Sequence, residues 1–105
     1  MENRDLKKEY EEMINENKVF LFMKGYPDEP FCGFSMRVTR ILNELGIRYG
    51  SFNILEDMEI REAVKVFSEW PTYPQLYVNG KFVGGCEIIE ELYRNDELED
   101  VLNEE

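Results

Sequence analysis

Histidine is absent from the 105 residues. The usual side chain for proton transfer near neutral pH is therefore missing, and so is the commonest zinc ligand. Cysteine is scarce: Cys32 and Cys86 are the two in the chain. Two thiols are too few for a disulfide framework or for a closed four-ligand metal site within one chain. Basic residues are outnumbered, 12 against 23 acidic, which leaves a net charge of −11. A binder of phosphate backbones needs a basic footprint, so neither nucleic acid nor an anionic membrane surface is an expected partner. No apolar run approaches the roughly 20 residues of a membrane-spanning helix. The N-terminus, Met1-Glu2-Asn3-Arg4-Asp5, has no apolar signal region and is too acidic for a transit peptide. The expected location is the cytoplasm, with an organelle as the alternative if a presequence has been removed.

What is present fits one domain over residues 1–105, with 43% hydrophobic and 33% charged residues. Leu6, Tyr10, Met13 and Ile14 recur at helical spacing. The apolar run to Met23 reads as a buried strand, and Lys24 to Pro30, with one Gly and two Pro, as a loop. Phe34, Val38, Ile41, Leu42 and Leu45 give a second helix that stops at Gly46. A second strand is expected over Ile47 to Asn53. Glu56-Asp57 opens a third helix carrying Ile60, Ala63, Val64 and Phe67. Gln75 to Val78 and Lys81 to Val83 flank Asn79-Gly80 as a hairpin. Helices from Cys86 and from Leu98 complete the order α-β-α-β-α-β-β-α-α. The expected class is α/β, a thioredoxin-like four-stranded mixed sheet flanked by helices.

Cys32 falls where a loop feeds a helix, with Lys24 at the end of the preceding strand. Exposed N–H groups and a cation both favour a thiolate. The alternative is a small buried hydrophobe. Ser35 stands where a dithiol motif would carry its second cysteine. Thr72-Tyr73-Pro74 is either a plain turn or a cis X-Pro bond that presents the Tyr73 backbone to a peptide-like ligand. Gly84-Gly85-Cys86-Glu87 is either a turn into a helix or a set of open N–H groups suited to a carboxylate. Cys86 reads first as a packing residue. Arg61 and Lys65 share one helix face, as a solvated surface or as cations for a small anion.

These pieces resemble the monothiol glutaredoxins of the CGFS type. The matching stretches are Phe22-Met23-Lys24-Gly25, Cys32-Gly33-Phe34-Ser35, Trp70 through Val78, and Gly84-Gly85-Cys86-Glu87. The resemblance implies a glutaredoxin fold with a cis proline at Pro74, and glutathione bound beside Cys32. It implies Lys24 and Arg61, with Lys65 less directly, as cations for the glycyl carboxylate. Tyr73 would pair through its backbone with the cysteinyl part, and Cys86 and Glu87 would hold the γ-glutamyl end. The family usually has Asp at the last position. Two chains would share one 2Fe–2S cluster through two Cys32 thiolates and two glutathione thiolates, forming a homodimer. The expected function is cluster carriage to apo iron–sulfur recipients, with BolA-type proteins as further partners. The alternative is a glutathione-dependent thiol–disulfide oxidoreductase acting through Cys32 alone.

Overall fold

The computed structural model describes residues 3–105; Met1 and Glu2 of the expected domain lie outside the described residues. Leu6–Glu16 (α1) starts at Asp5, whose carboxylate accepts the Lys8 N–H at 3.1 Å. That contact satisfies one of the N–H groups a helix start leaves free. Tyr10 and Ile14 form its buried face. Val19–Met23 (β1) is buried along its whole length. Its side chains alternate between two cores, as a strand's period of two requires. Val19, Leu21 and Met23 join one core, and Phe20 and Phe22 the other.

Gly25–Tyr26 (β2) and Glu29–Pro30 (β3) form a small antiparallel hairpin within the expected loop. Gly25 has φ +93°, and a Cβ there would lie 2.6 Å from Glu29 O, so glycine is required. Gly33–Glu44 (α2) follows and ends before Gly46, at φ +67°. Gly50–Asn53 (β4) begins later than the expected Ile47. The Ile47 N–H is already bonded to Leu42 O at 3.1 Å, closing the helix end, so it cannot serve a sheet ladder. A single 3-10 turn, Ile54–Glu56, leads to Met58–Ser68 (α3), capped by Asp57. Gln75–Val78 (β5) and Lys81–Gly84 (β6) make the expected hairpin, with Asn79 and Gly80 both at positive φ. Cys86–Arg94 (α4) and Leu98–Leu102 (α5) finish the chain.

The four-stranded sheet has the order β4-β1-β5-β6. β1 is parallel to β4 and antiparallel to β5, and β5 is antiparallel to β6. The sheet is mixed, as expected. On one face, Val38, Ile41 and Leu42 of α2 pack with Ile89 of α4 and Leu98 and Leu102 of α5. On the other, Tyr10 and Ile14 of α1 pack with Ile60 and Val64 of α3. Helices thus cover both faces, the thioredoxin-like arrangement. Among the described residues no helix is long and apolar enough to cross a membrane. The starts of α2 and α4 lie on the same face of the sheet, and the segment leading into β5 lies beside α4.

Candidate functional site

Cys32 is the N-cap of α2, with extended backbone at φ −145° and ψ 156°. In that position a side chain meets the N–H of the third helical residue. Here that residue is Ser35, whose N–H donates to Cys32 Sγ at 3.4 Å. The Ser35 hydroxyl also lies 3.4 Å from the sulfur and accepts the Lys24 N–H at 3.1 Å. Its own proton is therefore free to turn towards the sulfur when that carries charge. Burial pushes the Cys32 thiol up. The Ser35 hydroxyl and N–H, the Phe34 N–H and the Lys24 charge outweigh that, and the net shift is below the ordinary value. Cys32 remains partly exposed. It combines access with thiolate character, the two conditions for a nucleophile or a metal ligand.

Two residues beyond Cys32, Phe34 walls one side of a cavity of about 300 Å³. Trp70, Thr72 and Tyr73 form the second wall, and Gly85, Cys86, Glu87 and Ile88 the third. The Tyr73-Pro74 bond is cis, the sharper of the two expected readings. The Tyr73 hydroxyl donates to Arg61 O at 2.6 Å and ties this wall to α3. Gly85 is the N-cap of α4 and offers no side-chain cap, so the first N–H groups of that helix lack the usual partner. A Cβ at Gly85 would come within 3.1 Å of Trp70 Nε1. Glycine keeps the helix start open and lets the indole lie close.

The structure brings Tyr73, Cys86 and Glu87 together at this cavity. Pro74 is buried, with its carbonyl on the Gly85 side. Lys24 sits with Cys32 through Ser35. Arg61 is joined to Tyr73 through its carbonyl, and its buried Nε has no hydrogen-bond partner. Lys65 pairs with Glu62 at 3.0 Å, in keeping with the solvated-face reading of that cation. Cys86 is buried in the core of α2, α4 and α5. Burial and the Glu90 carboxylate push its thiol up, against the Arg37 charge.

Sequence reasoning missed Phe34, Trp70 and Thr72 as cavity walls, and Ser35 as a working group. The lone tryptophan, set before Pro71 in Trp70-Pro71-Thr72, was the available signal. For Ser35 the signal was its spacing of three from a cap position, which brings an N–H to the cap side chain. A wider groove of about 660 Å³ between α1 and α3, lined by Leu6, Met58, Ala63 and Val66, contains none of the candidate residues.

One thiol favoured as thiolate thus caps one helix start, and the Pro74 carbonyl lies beside another that has no side-chain cap. The chain belongs to the glutaredoxin family, whose model matches residues 19–83. Its relatives carry the monothiol name. The probable monothiol glutaredoxin 2 of Rickettsia typhi (strain ATCC VR-144 / Wilmington) is 53% identical over 105 residues, covering 100% of this chain and 94% of that one. Among solved structures, reduced poplar apo GrxS14 is similar at a TM-score of 0.81 and 45% identity, over 92% of this chain and 89% of that one. A buckwheat glutaredoxin–glutathione complex is similar at a TM-score of 0.81 and 27% identity, over 94% of this chain and 87% of that one.

Proposed function

We propose that the protein binds glutathione in the cavity beside Cys32 and carries a 2Fe–2S cluster between two copies of itself. The observation that carries this reading is a single thiol, favoured as thiolate and partly exposed, two residues before Phe34 in the wall of a cavity that also takes in a helix start no side chain caps. Glutathione has two carboxylates, an amine and a thiol. The bare N–H groups of α4 suit one carboxylate, and Lys24 with Arg61 suits the other. The unpartnered Arg61 Nε is a donor for such an acceptor. The Tyr73 backbone, which makes no backbone–backbone hydrogen bond among the described residues, suits β-type pairing with the cysteinyl part. The exposed Glu87 carboxylate suits the ligand amine. The buckwheat complex supports the choice of ligand on a similar fold.

The cluster is cargo rather than a resident group. Four ligands, usually thiolates, surround such a cluster. Among the described residues no group of three or more His, Cys, Asp or Glu converges, so one chain supplies Cys32 and little else. Two chains with two glutathione thiolates complete the set under two-fold symmetry. Exchangeable ligands favour handing the cluster on to apo iron–sulfur recipients, with BolA-type proteins as candidate partners.

The lowered Cys32 thiol also favours a second reading, deglutathionylation. The Cys32 thiolate attacks the glutathione sulfur of a mixed disulfide, and the substrate leaves as a thiolate. A free glutathione thiolate then attacks the glutathione sulfur bound to Cys32, which releases glutathione disulfide and restores the Cys32 thiolate. Ser35 does not block this route, since no second protein thiol takes part. Anaerobic reconstitution with iron, sulfide and glutathione separates the readings. The carrier reading predicts visible absorbance and a dimer, both lost in Cys32→Ser. Absence of both, together with fast turnover of a glutathionylated disulfide, would replace it with the enzyme.

A further inference from the structure

A polar side chain stands among the apolar residues of β5. Gln75 is fully buried, and so, nearly, is Tyr77 two residues on. Both face the core that α1 and α3 cover. The Gln75 amide has a fixed orientation, because its Nε2 faces two carbonyls that can only accept. It donates to Trp70 O at 3.1 Å and to Thr72 O at 3.2 Å. Its Oε1 accepts the Tyr77 hydroxyl at 2.9 Å. A phenol has one proton, so Tyr77 in turn accepts from the Tyr10 hydroxyl, also at 2.9 Å. The direction of the whole chain is thus set: Tyr10 to Tyr77 to Gln75 to the two carbonyls.

Those carbonyls flank Pro71 in the wall of the cavity. Among the described residues, 71–73 make no backbone–backbone hydrogen bond. The wall is held instead by the Trp70 N–H on Lys65 O at 3.2 Å, by the Tyr73 hydroxyl and by the Gln75 amide. Only the amide grips the segment from both sides of Pro71. It leaves the Thr72 and Tyr73 N–H groups free.

We propose that Gln75 is a positioning residue for the ligand, and that the Tyr10–Tyr77–Gln75 chain fixes the Trp70–Tyr73 wall from beneath. The first helix, which contributes nothing to the cavity lining, then acts on the site through one hydroxyl. The choice of glutathione as ligand rests on the function proposed above; the hold on the wall does not.

The test compares wild type, Gln75→Met and Tyr77→Phe by glutathione calorimetry, thermal melting and acrylamide quenching of fluorescence. The single tryptophan is Trp70, so emission excited selectively at the indole, beyond the absorption of the tyrosines, reports the wall alone. Gln75→Met keeps length and bulk but removes both donors and the acceptor. Its glutathione affinity should fall about tenfold, the scale of a buried hydrogen-bond set left unmade. Trp70 should become more open to quencher while melting stays cooperative. Tyr77→Phe should move both readouts the same way by a smaller factor, about threefold in affinity. If either variant folds with wild-type affinity and wild-type quenching and melts at lower temperature, Gln75 is a core residue only and the proposal is overturned. Should Gln75→Met fail to fold, Tyr77→Phe decides. If wild type binds no glutathione, the ligand reading fails, and the quenching series still decides whether the chain holds the wall.

Discussion

Two helices of this molecule start with a cysteine, and the two sulfurs have opposite fates. Cys32 occupies the N-cap of α2, where its side chain accepts an N–H and stays within reach of solvent. Cys86 stands one position further in, as the first residue of α4, and its sulfur turns into the core beside Ile89. A shift of one residue relative to the helix start separates a thiol pushed down from one pushed up. The other long helices make the contrast wider. α1 and α3 are capped by Asp5 and Asp57, the ordinary solution. Around the cavity that solution is given up: α2 is capped by a sulfur and α4 by nothing. The two aspartate caps lie away from the cavity, and the two starts without a carboxylate cap lie at or next to it.

Breaking the sulfur contrast should have the largest effect. Cys32→Ser is expected to abolish the reconstituted absorbance and the dimer, whereas Cys86→Ser should keep both and melt at lower temperature. Next comes the bare start of α4. Gly85→Ala places a methyl group against Trp70 and should weaken glutathione binding about tenfold, a change of about 1.4 kcal/mol read by calorimetry. Wild-type affinity in that variant would detach the glycine from ligand binding.

A smaller effect is expected at an ordinary cap. Asp57→Ala should lose about 1 kcal/mol of stability in urea titration and leave ligand affinity unchanged. The Asp57 carboxyl is held below its ordinary range by the Arg4 guanidinium at 2.9 Å, with the Ile60 and Glu59 N–H groups adding to it against partial burial. Its contribution is fully present above the ordinary carboxylate pKa and is lost as pH falls through the depressed one. The difference between wild type and Asp57→Ala should therefore shrink in acid. Smallest of all is Ser35→Ala. Loss of the hydroxyl should raise the Cys32 midpoint in a pH series of alkylation rates and slow the reaction at neutral pH, with the fold intact.

Much of this was legible because it depends on local chemistry. Asn79-Gly80 fits a two-residue turn with positive φ at both positions, and Gly46 fits a left-handed helix stop. The unbroken apolar run Val19–Met23 fits a strand buried along its whole length. The late start of β4 was hidden because Ile47 and Tyr49 continue the apolar pattern while the Ile47 N–H belongs to the end of α2. The β2–β3 hairpin has two residues a side, too few to show a period. At the site, Cys32, Lys24, Tyr73 and Glu87 stood out by type and place. Ser35 and Gln75 did not, because their roles lie in bonds to residues distant in sequence or across a turn: Lys24 for one, Tyr77 and Trp70 for the other.

The difference between the partly exposed Cys32 at the start of α2 and the buried Cys86 of α4 should show as a difference in reactivity. It is tested most directly by alkylating the native, reduced protein at neutral pH and locating the label by mass spectrometry. Rapid modification of Cys32 is expected, with Cys86 protected until the protein unfolds. Equal labelling of the two, or labelling of Cys86 first, would contradict it.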